Sequence, residues 1–152
     1  MLRLTVNRSR CTGCRFCESA CVVSHGGGFA LASARIRIGQ EAIDALGFDV
    51  DVCRQCAVCP PLDVCPTGAL QRDRATGVLH LDPAQCPAGC RLCAEACNLD
   101  AFHDGGDGLL LCDLCDGEPA CVRACYTEAL FLSEYRLGER GMGKGFAATR
   151  SR

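Results

Sequence analysis

CTGCRFCESAC, residues 11–21, spaces its cysteines as C-x2-C-x2-C-x3-C. Three thiolates within seven residues can wrap one ligand only if the backbone curls around it, and Gly13 supplies the freedom for that curl. This spacing is a signature of iron–sulfur ligation. Three close cysteines hold one cubane, and the fourth, a helical turn further on, serves the other cluster of a pair. A zinc site draws its ligands as two separated pairs. The reading is therefore iron.

Three more groups follow along the chain: Cys53, Cys56, Cys59 and Cys65 in CRQCAVCPPLDVCPTGAL; Cys86, Cys90, Cys93 and Cys97 in CPAGCRLCAEAC; and Cys112, Cys115, Cys121 and Cys125 in CDLCDGEPACVRAC. Sixteen cysteines in 152 residues fall into four groups of four with none left over. With no Trp and only 5% aromatic residues, the chain cannot rely on a large apolar core and needs staples. Disulfide staples require an oxidising compartment. The N-terminal MLRLTVNRSR has neither the apolar run of a signal peptide nor a twin-arginine pair. No stretch approaches the roughly 18 apolar residues of a membrane span. A metal-stapled, cytoplasmic protein is the expectation.

The formal charge of −2 omits the clusters. With four oxidised cubanes at about −2 each, the loaded protein sits near about −10. That charge, and the lack of a basic stripe interleaved with aromatics, excludes nucleic acid as a partner.

LRLTV (2–6) alternates apolar and polar residues and predicts a strand; RFCESACVVSH (15–25) predicts one or two helical turns ended by Gly26, Gly27 and Gly28. ARIRI (34–38) and FDVDV (48–52) predict strands, and QEAIDAL (40–46) between them is compatible with a helical turn or a loop. An internal repeat, a cysteine followed by three residues, Ala and a large apolar residue, occurs as CPTGAL (65–70), CNLDAF (97–102) and CYTEAL (125–130). In each copy the cysteine ends a short helix and the apolar residue starts a strand. RATG (74–77) and HDGGDG (103–108) are the expected hairpin turns. Cluster loop, short helix and hairpin, repeated about a pseudo-two-fold, is the plan of two-cluster bacterial ferredoxins, and four groups make two such units. The predicted fold is α+β, with two nested bacterial-ferredoxin-like units.

Over residues 1 to about 135 the chain resembles the four-cluster ferredoxin-type electron-transfer subunits of oxidoreductases, above all the small iron–sulfur subunit of tungsten aldehyde oxidoreductases. CTGCRFCESAC with the following SHGGGF and ARIRI, then CRQC, CPTGAL, CRLCAEAC and CDLCDGEPACVRAC, carry the likeness. The resemblance implies that the outer groups pair, the inner groups pair, and the fourth cysteine is exchanged within each pair. One cluster then takes Cys11, Cys14, Cys17 and Cys125, and its neighbour Cys112, Cys115, Cys121 and Cys21. In the inner unit the sets become Cys53, Cys56, Cys59 with Cys97, and Cys86, Cys90, Cys93 with Cys65. The outer unit comprises residues 1–49 and 104–136, the inner unit 50–103, and 137–152 form a tail. Three departures from the family pattern stand out. Cys56 and Cys59 are two residues apart with Pro61 where relatives carry a cysteine. Cys86 and Cys90 are separated by one extra residue. The proline after the fourth cysteine survives only as Pro66, with Asn98 and Tyr126 elsewhere.

Other motifs carry less. Cys86, Cys90 and Cys93 match the three-cysteine motif of radical S-adenosylmethionine enzymes, but the chain has no room for the barrel that chemistry needs. His25, His80 and His103 read as surface groups. The carboxylates form no acid–base pair, and Gly26–Gly28 follows a helix rather than the strand that precedes a phosphate loop. The Gly-rich, basic tail from Arg136 reads either as a disordered end or as an arm along a partner.

The expected function is a relay of four [4Fe–4S] clusters without catalysis of its own. The resemblance implies a tungsten–pterin catalytic partner and a flavin subunit or ferredoxin as the other electron partner. The same relay could instead serve a carbon monoxide dehydrogenase, hydrogenase or formate dehydrogenase. A free polyferredoxin, an assembly factor, and end-to-end self-association into a chain are the remaining alternatives.

Overall fold

Strand β1 (Leu2–Val6) pairs antiparallel with β8 (Leu130–Glu134), from Leu2 opposite Glu134 to Val6 opposite Leu130. Alternation decides the ladder's faces: Leu4 is wholly buried, while Thr5 and Ser133 join hydroxyls at 2.8 Å. A computed structural model of the chain describes residues 1–26, 28–39 and 48–134. QEAIDAL, Gly27 and the tail lie outside the described residues.

Among the described residues, eight short strands form four two-stranded antiparallel ladders. Besides β1–β8, these are β2 (Ile36–Ile38) with β3 (Val50–Val52), β4 (Leu70–Arg72) with β5 (Leu79–Leu81), and β6 (Phe102–Asp104) with β7 (Leu109–Leu111). Two-stranded ladders are marginal alone. Each is held here by packing on its inward face, where Ile36, Val52, Leu70, Leu79, Phe102 and Leu111 are buried. The β4–β5 turn is tied by Asp73, whose Oδ1 accepts from the amides of Ala75 and Thr76 at 3.0 and 2.6 Å.

Four helices carry cysteines or follow them: α1 (Phe16–Ser24), α2 (Pro60–Asp63), α3 (Leu92–Glu95) and α4 (Ala120–Ala124). α1 buries Cys17, Glu18, Cys21 and Val22, one turn apart on one face, and packs against α4; α2 packs against α3. Pro60 and Pro61 open α2, where their fixed φ suits a first helical turn.

The three repeats share one backbone feature. The third residue after the cysteine has positive φ in each: Gly68 at 69°, Asp100 at 46° and Glu128 at 53°. This left-handed residue turns the chain from the helix into β4, β6 or β8. The fold is thus α+β and ferredoxin-like, with apolar residues and cysteines interleaved in one core that includes Leu4, Val22, Val52, Leu79 and Leu114.

Candidate metal centre

In every cysteine group the residue immediately before the second cysteine has positive φ: Gly13 at 69°, Gln55 at 56°, Gly89 at 73° and Leu114 at 58°. Such a residue curls the loop so that successive amides face its concave side, which favours an anionic sulfur ligand there. The extra residue between Cys86 and Cys90 is absorbed because Gly89 still occupies this place. Gly13 could be singled out by residue type; nothing in the identities of Gln55 and Leu114 marks them.

The loops bring cysteines from distant groups together. One cavity is lined by Cys11, Cys14, Cys17 and Cys125. A second is lined by Cys53, Cys56, Cys59 and Cys97. Charge on Cys90 and Cys65 reaches Cys86, and charge on Cys86 and Cys65 reaches Cys93. Cys121 is influenced by Cys21, Cys17 and Cys115, and Cys112 by Cys121, Cys53 and Cys21.

Sixteen cysteines are present and none is in a disulfide. Burial pushes the thiols of Cys17, Cys53 and Cys121 up to about 12, and that of Cys112 well above its ordinary value. Such groups become thiolates only beside compensating positive charge. Soft, clustered and desolvated, the donors fit iron–sulfur clusters, whose metal supplies that charge. Backbone amides are also aimed at sulfur: Arg35 N–H donates to Cys21 Sγ at 3.3 Å and Leu70 N–H to Cys65 Sγ at 3.4 Å. The Leu70 amide leads the causes that lower the Cys65 pKa. Ser24 Oγ lies 3.9 Å from Cys115 Sγ and Thr127 Oγ1 lies 3.5 Å from Cys125 Sγ.

Two of the three histidines are not the surface groups expected from sequence. His103 is buried and its Nε2–H donates to the Asp51 carbonyl at 3.0 Å, tying β6 to β3. His25 closes α1, with Nδ1 2.8 Å from the Cys21 carbonyl and Nε2 3.2 Å from Asp113. Isolation in sequence misled because Asp51, which holds His103, and Asp113, which holds His25, are far away in the chain. His80 is exposed on β5. Asp113 also pairs with Arg35 and accepts from the Cys115 amide at 3.0 Å. Burial would raise the Asp113 pKa, but that amide and the charges of Arg35 and His25 hold it below the ordinary value.

Sequence reasoning missed Gln55 and Glu18. Gln55 is buried; its Nε2–H donates to the Cys112 carbonyl and its Oε1 accepts from Leu79 N–H, each at 2.8 Å. Glu18, buried between Cys17 and Cys21, accepts from Ile38 N–H at 2.7 Å and faces Arg15 at 3.5 Å.

These curled cysteine loops, short helices and hairpins define a ferredoxin-type iron–sulfur protein. The chain belongs to the 4Fe-4S dicluster domain family, whose model matches residues 45–135. It is 38% identical over 125 residues to the NADH-dependent phenylglyoxylate dehydrogenase subunit beta of Aromatoleum evansii, covering 80% of this chain but 28% of that protein. It is 37% identical over 152 residues to the electron transport protein HydN of Escherichia coli (strain K12), covering 84% of this chain and 85% of HydN. A chain of the active site complex BamBC of benzoyl coenzyme A reductase, as isolated, has a similar fold, at TM-score 0.50 and 21% identity over 93% of this chain and 81% of that one. Among the described residues, no helix is long and apolar enough to cross a membrane.

Proposed function

We propose that this protein is the electron-transfer subunit of an oxidoreductase complex, holding four [4Fe–4S] clusters on its sixteen cysteines and catalysing nothing itself. The clusters, when bound, supply one-electron redox chemistry. The ligand sets are Cys11, Cys14, Cys17 with Cys125; Cys112, Cys115, Cys121 with Cys21; Cys53, Cys56, Cys59 with Cys97; and Cys86, Cys90, Cys93 with Cys65.

The observation that carries this reading is the convergence of cysteines from distant groups, Cys125 with Cys11, Cys14 and Cys17 around one cavity and Cys97 with Cys53, Cys56 and Cys59 around another. Cys17 and Cys121 join the first two sets electrostatically, and Cys112 and Cys53 join the second to the third. The third and fourth sets each draw one ligand from the other's loop. These proximities support a relay from set to set. The chain's residues space these sets, exclude water from the buried thiols and direct amides at sulfur.

The division into an outer unit (1–49 with 104–136) and an inner unit (50–103) is supported by the β1–β8 ladder, which closes the outer segments, and by the separate helix pairs. The β2–β3 ladder crosses the 49/50 boundary and connects the two units. Cysteines committed to clusters rather than disulfides suit a reducing, cytoplasmic setting.

The resemblance of residues 1–135 puts a tungsten–pterin aldehyde oxidoreductase first as the catalytic partner, with electrons passing to a flavin subunit or ferredoxin. The likeness to phenylglyoxylate dehydrogenase subunit beta favours a second reading, the same relay in a dehydrogenase of that type.

Iron and sulfide analysis of anaerobically purified protein, with EPR after dithionite reduction, tests the relay. About 16 iron per chain and a spectrum broadened by coupling between neighbouring clusters are expected. Zinc in place of iron would overturn the reading. Tungsten in the native complex would select the first partner over the second.

A further inference from the structure

The cavity bounded by Cys53, Cys56, Cys59 and Cys97 also has Arg3 and Arg54 on its wall, and among the described residues no carboxylate lines it. Arg72, on β4, stands beside the same loop. Its Nη2–H donates to the Cys56 carbonyl at 2.6 Å and its Nη1–H to the Gly77 carbonyl at 2.7 Å. Two hydrogen bonds at fixed angles leave the guanidinium little freedom to swing into solvent. At the other loops the nearby arginines face carboxylates: Arg15 faces the buried Glu18 at 3.5 Å, Arg35 pairs with Asp113 beside the Cys115 loop, and Arg91 pairs with Asp104 at 3.2 Å in the groove that holds Cys86 and Cys90.

We propose that Arg72, with Arg3 and Arg54 beside it, makes the cluster site at Cys53, Cys56, Cys59 and Cys97 the most readily reduced of the four. This inference rests on the four-cluster reading above and extends it to the place where the first electron settles. A cubane with its four thiolates is an anion, and reduction adds one more negative charge. A fixed cation nearby therefore stabilises the reduced form more than the oxidised one. Partial burial keeps solvent from screening that difference. Arg72 acts through charge on the site, not by ligation, so it is a positioning and tuning residue. The first electron to enter would then settle at this site.

The test is an EPR-monitored redox titration of anaerobic holoprotein, compared with Arg72→Gln, Arg72→Lys and Arg3→Gln. Cys97→Ser, which changes one ligand of this set, identifies its signal. The inference predicts that the first cluster reduced is this one. Arg72→Gln should make its reduction at least tenfold less favourable, a downward shift of 59 mV for one electron, with the other steps unmoved. Arg72→Lys, which keeps the charge but not the fork, should stay closer to the native value. A purely structural role would be disturbed by both variants alike. If Arg72→Gln fails to hold its clusters, Arg3→Gln reads the same effect with a smaller shift of the same step. An unmoved first step in the variant that loads, or a first step belonging to another set, overturns the inference while leaving the relay intact. Absence of iron overturns both.

Discussion

Gln55 reaches from the loop of Cys53 and Cys56 to the backbone of Cys112, donating its Nε2–H to that carbonyl at 2.8 Å. With its Oε1 occupied by Leu79 N–H, one buried amide ties two cysteine loops and strand β5 together. Replacing it with Leu leaves two buried backbone groups without partners, at a cost of about 1–3 kcal/mol for each. Gln55→Leu is expected to lower the thermal midpoint of the loaded protein by several degrees and to speed loss of visible absorbance in air. Gln55→Glu, which keeps the Leu79 bond but loses the donor to Cys112, should fall between the two. Equal stability of all three forms would show that the junction is held elsewhere.

Gly13 and Gly89 share a left-handed backbone but not a neighbourhood. A Cβ on Gly13 would lie 2.5 Å from the Phe48 ring, whereas nothing lies within 4 Å of a Cβ on Gly89. Gly89→Ala should cost only the conformational strain, about 1–2 kcal/mol, and retain its iron. Gly13→Ala adds a steric clash beside Cys14 and should lose iron from the set that includes Cys11 and Cys14. Iron content per chain for the two variants checks the difference.

His103 predicts a pH dependence. Burial holds its pKa below the ordinary 6.5, although the bond to the Asp51 carbonyl works the other way. The unfolded imidazole therefore binds a proton more readily than the native one. Its contribution is fully present above pH about 6.5 and is lost as pH falls from there through the native pKa. Denaturant midpoints should fall between pH 7.5 and 6.0, and His103→Gln, which keeps a donor for Asp51, should flatten that part of the profile. A profile unchanged by the substitution would assign the dependence to other groups.

Exchange of the fourth cysteine makes a cross-over prediction. Cys125→Ala should disturb the EPR signal of the set carrying Cys11, Cys14 and Cys17, although Cys125 lies 108 positions after Cys17 in the sequence. The set carrying Cys112, Cys115 and Cys121, its neighbours in sequence, should keep its signal. The opposite pattern would remove the exchange.

The cluster loops were legible because ligand spacing is a local property: a C-x2-C-x2-C run must curl within seven residues whatever surrounds it. The hairpins were legible for the same reason, since Asp73 and Gly77, like Gly105 and Gly106, terminate strands by their own backbone chemistry. The α+β, ferredoxin-like class followed from those local pieces and their repetition. Proline at 61 and the extra residue before Cys90 looked irregular in sequence, yet each has a local solution, a helix start and a left-handed Gly89.

Contacts between distant segments were not legible, because no periodicity or residue type encodes them. The pairing of β1 with β8, the bonds of His25 to Asp113 and of His103 to Asp51, and the two bonds of Gln55 each join residues far apart in the chain. Left-handed Gln55 and Leu114 were hidden because side chains of their kind rarely adopt that conformation, and only surrounding packing can hold them there. By itself the chain's order of residues determined what chemistry it can hold: soft thiolates in four groups, each able to wrap a cluster. Tertiary structure alone decided which charges and buried amides stand beside the cysteine loops. Those are matters of burial and distance between segments, and they arise only when the ladders and helices close around one core.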